Sequence, residues 1–287
     1  MKNLLKSLEV DERYTVLLNL LNKYGSIGYF SNKVSKNIIF PPVVIPILDM
    51  TSSCLDKQVI IKHWFVEREI NYTYVYGENF KNYSEEARTF ETFLTKFFLD
   101  WLIIEEEITF EMKIFAKELK FNELEAIYNF FDKYGDNPNE ITRLKYFTKS
   151  SGNNLNITPI EYVNNISSYT GDFSTSVKGL ININGIEKAT SFEIQDSTKR
   201  VVNKLSNLPL WLKNNANQKY LFDMYIEKNE LDNAWLTLNS SGWKLTDVEG
   251  CLEVLTQKNN KNGFDDMVEN WMSNWKDSSC FKTILEY

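Results

Sequence analysis

The chain has 287 residues and a formal net charge of −7, since 39 acidic residues outnumber 32 basic ones. An acidic chain without a dense run of Lys and Arg is repelled by phosphate backbones, which argues against nucleic-acid binding and favours a basic protein partner. Aromatic residues make up 14% of the chain, and we assign most of them to a large core. The length is comfortable for two domains.

The cysteines and the single histidine argue against several kinds of metal, disulfide and catalytic site. The three cysteines lack the spacing of a zinc site or a disulfide framework, which indicates a reducing compartment. The N-terminus reaches charged residues too soon for a signal peptide, and no apolar run is long enough to span a membrane. We therefore expect a cytoplasmic protein. The single histidine, His63, is expected to be structural, so neither a catalytic triad, a metal nor a cofactor is predicted.

The N-terminal half begins with a predicted helix over residues 10–24, which Asp11 caps and Gly25 ends. Segments rich in β-branched and aromatic residues then predict an antiparallel sheet, at residues 37–50, 58–67 and 71–77. The prolines in the first of these segments fit strand starts, a bulge or an edge. His63 and Trp64 fall on the second segment, where Trp64 is expected to face the aromatic helix that follows in the sequence.

That helix is predicted from Thr89 onwards, because Phe, Leu and Trp recur at three- and four-residue spacing and form one continuous apolar face. Three glutamates at 105–107 follow it, and we ascribe them to the end of the helix. Two shorter helices are predicted after it, at residues 109–119 and 122–134. A helix with so much aromatic surface must pack on another element, and the preceding sheet is the nearest one.

Residues 136–158 are rich in Asn, Ser and Gly and are interpreted as a linker. They separate a predicted domain of residues 1–135 from a mainly helical domain of residues 159–287, which contains a β-hairpin at 177–194. The predicted fold class is therefore α+β. A small antiparallel sheet is packed by helices in the N-terminal half, and the C-terminal half is mostly helical with one hairpin.

Residues 43–102 combine several of these patterns in a distinctive order. An apolar strand ends in small and acidic residues (VVIPILDMTSSCLD), strands around HWFVE and YTYVY follow, and the helix EARTFETFLTKFFLDWL comes last. This order resembles the C-terminal half of the SUKH superfamily, the cell-wall-assembly-regulator-like proteins that include bacterial immunity proteins. The helix start at 89–94 matches the small residue, Phe, acids and Phe-Leu of that family.

The resemblance implies an antitoxin-like protein that neutralises a toxin, often a nuclease, by binding it. Its acidic surface would cover the active site or docking face of a basic toxin. The partner-binding acids would be Asp49 and Asp56 at the turn of the sheet and Glu67 and Glu69 on a strand. This leading hypothesis assigns no catalytic residue.

Two alternatives come from the C-terminal half. Glu193 and Gln195, in SFEIQD, are similar to the Glu-x-Lys element of restriction-type nucleases, and Asp172 would be the second carboxylate of a metal-dependent nuclease. Gln replaces the Lys of that element, and an alternating strand with outward Glu and Gln explains the segment more simply. The other alternative is a helical scaffold or regulatory interaction protein whose partner binds the C-terminal helices.

Overall fold

The computed structural model describes residues 2–25, 27–28, 30–31, 40–50, 53–65, 70–76, 82–87, 89–137, 140–147, 210–212, 217–240, 243–259 and 262–276. Helices predominate among these residues, and the strands form one small antiparallel sheet in the N-terminal half, which confirms the α+β class. The hairpin predicted at 177–194 lies outside the described residues.

The sheet is an antiparallel meander in the order β1-β2-β3-β4-β5. Its strands are β1 (Phe30–Ser31), β2 (Val44–Met50), β3 (Ser53–Ile61), β4 (Asn71–Tyr76) and β5 (Asn82–Ala87). Every residue of β2 is buried, as expected of an interior strand that is covered on both faces. Pro46 lies in this strand beside a register shift between Pro46 and Leu48, as predicted for a bulge. Proline has no backbone N–H to donate to a neighbouring strand, and a bulge tolerates that loss.

The strands differ from the prediction in two places. The sequence predicts a strand over 58–67, but β3 ends at Ile61, and His63 and Trp64 follow the strand instead of lying on it. The last strand, β5, carries the polar sequence NYSEEA and was not predicted, because it lacks the β-branched residues that mark a strand.

The described helices are α1 (Lys2–Ser7), α2 (Arg13–Tyr24), α3 (Phe90–Glu105), α4 (Phe110–Glu118), α5 (Leu124–Tyr134), α6 (Gln218–Glu227), α7 (Leu231–Leu238), α8 (Leu245–Lys258) and α9 (Phe264–Lys276). Short 3-10 turns lie at Ile141–Arg143, Lys145–Phe147 and Leu210–Leu212. The start of α3 agrees with the prediction, since the Thr89 side chain accepts a hydrogen bond from the Thr92 N–H at 3.2 Å.

Helices α2 and α3 pack on the sheet through an aromatic layer. Tyr72 of β4 stacks on Phe93 of α3 at 5.0 Å between ring centroids and on Tyr14 of α2 at 5.9 Å. Beside this layer, the Arg13 guanidinium bridges Asp11 at 2.6 Å and Glu91 at 2.5 Å. The ring contacts and the charge bridge together fix the two helices against each other and against the sheet.

The C-terminal helices pack at the end of the β2–β3 hairpin where Val44 pairs with Ile61. There the Asn239 side chain accepts a hydrogen bond from the Val43 N–H at 2.7 Å, and the Trp271 indole N–H donates to the Phe40 carbonyl at 2.7 Å. Buried backbone groups next to the strands are thus satisfied by side chains from α9 and the end of α7.

His63 and Trp64 belong to the same junction. The Trp235 indole N–H donates to His63 Nδ1 at 3.0 Å, and the His63 side chain is buried. Trp64 meets Trp235 and Phe264 edge to face, with centroids 5.8 and 5.6 Å apart. The sequence predicts that Trp64 faces the aromatic stripe of α3, but its ring contacts lie on α7 and α9.

One continuous hydrophobic core includes residues from both halves of the chain. The described part of the predicted linker also packs inward, since Leu144 is buried and the Tyr146 carbonyl accepts a hydrogen bond from the Thr92 hydroxyl at 3.0 Å. The boundaries of the two domains and of the linker stay predictions, because residues 148–209 lie outside the described part.

Candidate functional site

Asp49 is one of the four predicted partner-binding acids, and the structure buries it. It lies opposite Lys57 across β2 and β3, and the Lys57 ammonium donates to Asp49 Oδ1 at 2.5 Å. The Lys57 side chain has no exposed surface. The Asp49 carboxylate therefore neutralises an internal cation and is not the exposed acid that the resemblance implies. The physical reason is that β2 continues to Met50, so Asp49 belongs to the strand and not to the turn.

The other predicted site residues lie where the structure gives no side-chain information. Asp56 belongs to β3, but its side chain is outside the described part, as are Glu67 and Glu69. The residues of the nuclease alternative, Asp172, Glu193 and Gln195, lie outside the described residues. Their roles stay predictions.

A different acidic surface lies where α3 ends and α4 begins. We call it the acidic–apolar patch and define it by its six exposed residues: Ile104, Glu105, Glu106, Glu107, Phe110 and Glu111. Its two hydrophobic side chains are exposed well beyond the usual level for their type, Phe110 at 72% and Ile104 at 41%. An exposed aromatic side chain with exposed glutamates on both sides of it in the sequence combines an anchor for a partner's pocket with polar neighbours, which is a usual composition of a protein-binding surface.

The backbone of the acidic–apolar patch is held in place from both sides. At the end of α3, the Glu106 N–H donates to the Leu102 carbonyl at 2.8 Å, and Leu102 is fully buried. At the start of α4, the Thr109 hydroxyl accepts a hydrogen bond from the Met112 N–H at 3.2 Å, and Met112 is fully buried. Phe110 is therefore presented on a fixed backbone, which lowers the entropy that a partner must remove on binding.

Three of the four charges of the acidic–apolar patch do not stabilise the described part of the fold. Within the described part of the chain, none of its carboxylates forms an ion pair. Glu105, Glu106 and Glu107 also lie at the negative end of the α3 dipole, where each acid is unfavourable by about 0.3–1 kcal/mol. Only Glu111, in the first turn of α4, is stabilised by a helix dipole. The cost at Glu105, Glu106 and Glu107 is not offset by an ion pair to any described residue.

The sequence contains a signal for this patch that the prediction did not use. The buried residues of α4 include Met112, Phe115 and Ala116. Phe110 lies two positions before Met112, about 200° around a helix with about 100° per residue, so it faces away from the buried stripe. An aromatic residue on the polar face of a short amphipathic helix marks a candidate binding residue.

Two observations on the described residues concern metal binding and nucleophilic catalysis. There, no group of three or more His, Cys, Asp or Glu residues is arranged to hold a metal ion. Burial raises the pKa of the Cys251 thiol to about 12, which makes it a poor nucleophile at neutral pH. Of the helices described, none is both long enough and apolar enough to cross a membrane.

Comparison of the chain with protein-family models, with curated proteins and with solved structures gives no match.

Proposed function

We propose that this protein binds a basic protein partner through the acidic–apolar patch and neutralises it by occlusion, as a cytoplasmic immunity protein neutralises a toxin. The observation that carries the proposal is the exposure of Phe110, at 72%, between glutamates on a rigid backbone. The resemblance of residues 43–102 to the SUKH superfamily and the net charge of −7 point to the same kind of partner.

The patch supports a two-step association. Its four glutamates (Glu105, Glu106, Glu107 and Glu111) attract a basic surface over a distance of about 8 Å at physiological salt, which raises the association rate. Phe110 and Ile104 then enter an apolar depression of the partner. Burying the exposed Phe ring contributes about 1.5–3 kcal/mol, and this contribution appears mainly in the dissociation rate. A toxin whose active site or docking face is covered in this way loses access to its target.

The test begins with recovery of the tagged full chain from its native host and identification of stoichiometric partners by mass spectrometry. Affinity for the partner is then measured by calorimetry for the wild type and for Phe110→Ala. We expect a loss of about 10–100-fold, as for an aromatic hot spot. Tyr220→Ala is the matched control, because Tyr220 is also an exposed aromatic, at 65%, but lies on α6 and is not one of the patch residues.

A triple variant, Glu105→Gln, Glu106→Gln and Glu107→Gln, tests the electrostatic step. It should lower the association rate and flatten its dependence on salt, with a smaller effect on dissociation. Co-expression with the partner should protect cells when the wild type is present and protect them less with Phe110→Ala. Recovery of no partner, or equal affinities for Phe110→Ala and wild type, would contradict the proposal.

A further inference from the structure

A groove of about 410 Å³ runs between α5 and the 3-10 turns at Ile141–Arg143 and Lys145–Phe147. Its floor is apolar and is formed by Ile127, Phe130 and Leu144. A volume of several hundred Å³ with an apolar floor is typical of binding clefts. The groove belongs neither to the acidic–apolar patch nor to any site predicted from the sequence.

The rim of the groove is cationic, although the chain as a whole is acidic. Lys133, Arg143 and Lys145 line it, whereas Glu123 is the only acidic residue among its lining residues. Lys133 Nζ and Arg143 Cζ lie 5.0 and 5.2 Å from the ring centroid of Tyr134. The two cations therefore contact the same ring, and this contact orients them without neutralising their charge.

Lys133 and Arg143 keep donors for a ligand. Lys133 forms no ion pair with a carboxylate in the described part of the chain. Arg143 donates from Nε to Glu140, and no hydrogen bond from its Nη atoms to a described residue is seen. Lys145 donates to Glu123 Oε1 at 2.6 Å, a hydrogen bond that raises the pKa of Lys145 and keeps it charged. An arginine fork with one edge open suits a carboxylate.

We propose that this groove is a second binding site, which takes an extended acidic peptide segment of a protein partner. The lining residues along α5 and its N-cap run from Glu123 to Tyr134, which is about 16 Å at about 1.5 Å per residue. An extended chain of about five residues covers that length. Carboxylates of the segment bind Lys133 and Arg143, and apolar side chains between them contact the floor.

Two features favour a peptide over other anionic ligands. Lys133 and Arg143 contact the Tyr134 ring, and Lys145 lies 4.8 Å from the centroid of the Tyr146 ring. Because cations contact these rings, nucleic-acid bases cannot stack freely on them. A bare inorganic anion would make no use of the apolar floor. The alternating acidic and apolar side chains of an extended segment match both parts of the groove.

The experiment uses the full chain and a fluorescein-labelled peptide, acetyl-Glu-Leu-Glu-Phe-Glu-amide, in a fluorescence-anisotropy titration. The same peptide with Gln in place of Glu measures the apolar contribution alone. The groove variant is Lys133→Gln with Arg143→Gln, and the matched control is Lys113→Gln with Lys117→Gln, which removes two exposed lysines from α4. Because all four side chains are at the surface, circular dichroism should show both proteins folded.

We expect the acidic peptide to bind, the groove variant to bind it at least tenfold more weakly, and the control variant to bind it like the wild type. The Gln peptide should bind at least tenfold more weakly than the Glu peptide. No binding at millimolar peptide, or equal binding by the groove variant, would overturn the proposal. Competition by inorganic phosphate at the same concentration as the unlabelled peptide would also overturn it, in favour of a simple anion site.

Discussion

Replacing Asp49 by Asn removes the negative charge of the carboxylate that contacts the buried Lys57 ammonium. The two groups are 2.5 Å apart, with 0% exposure for the Lys57 side chain and 10% for that of Asp49. The amide of Asn keeps the size of the carboxylate and one acceptor oxygen but loses the negative charge. The variant therefore isolates the charge of Asp49 from its volume.

The expected cost can be bounded from two directions. At 2.5 Å the attraction between unit charges is about 7 kcal/mol with an effective dielectric constant of about 20, and desolvation offsets part of it. Removal of one partner of a buried pair usually costs about 3–5 kcal/mol. We therefore expect a loss of about 3–5 kcal/mol.

Urea unfolding at pH 7, followed by circular dichroism, measures this cost as a change in the free energy of unfolding. Asp223→Asn is the matched control, because Asp223 contacts Lys219 at the same 2.5 Å but both side chains are about half exposed. That surface pair should contribute less than about 1 kcal/mol. The double variant Asp49→Leu with Lys57→Met should be more stable than Asp49→Asn alone, since it leaves no buried charge. A loss below about 1 kcal/mol for Asp49→Asn would refute this reasoning.

Three further perturbations have definite expected outcomes. Gly263→Ala would place a Cβ 2.5 Å from the Ser7 carbonyl oxygen at φ +80°, and we expect the free energy of unfolding to fall by about 2–4 kcal/mol. Gly25→Ala, where φ is +84° but the space is open, should lower it by only about 1–2 kcal/mol. Burial raises the pKa of Cys251 to about 12, so its contribution to stability is complete below the unfolded value of about 8.5 and is lost as pH rises towards 12. The urea midpoint should fall across that window, and Cys251→Ala should make the fall shallower. Glu106→Gly relieves a left-handed conformation at φ +60° and should raise thermal stability by about 0.5–1 kcal/mol, and a lower melting temperature would speak against the strain.

The elements that local rules govern could be predicted from the sequence. The α3 stripe and its Thr89 cap need only helical periodicity and one side-chain hydrogen bond, and both are present. Gly25 ends α2 with positive φ, as predicted, and Gly135 ends α5 in the same way. The strand β5 could not be found in this way, because its pairing with β4 depends on backbone hydrogen bonds and not on side-chain type.

The candidate site was harder to predict because it depends on which polar groups meet. Nothing in the spacing of Asp49 and Lys57 shows that their strands align them as direct partners. The ring partners of Trp64 come from helices about 170 to 200 residues later in the chain, which periodicity cannot reveal. Helical periodicity predicts that Phe110 is exposed, but only when it is known which residues of α4 are buried.

The junction between the β2–β3 hairpin and the C-terminal helices has a consequence for the order of folding. Its hydrogen bonds join Val43 to Asn239, His63 to Trp235 and Phe40 to Trp271, which are 196, 172 and 231 residues apart. During synthesis at about 5–20 residues per second, the strand ends therefore wait roughly ten seconds or more for the groups that cover them. Such distant pairings slow folding and leave apolar strand ends exposed to other chains in the meantime. The groups at Phe40, Val43 and His63 are therefore covered only after α7 and α9 have been synthesised.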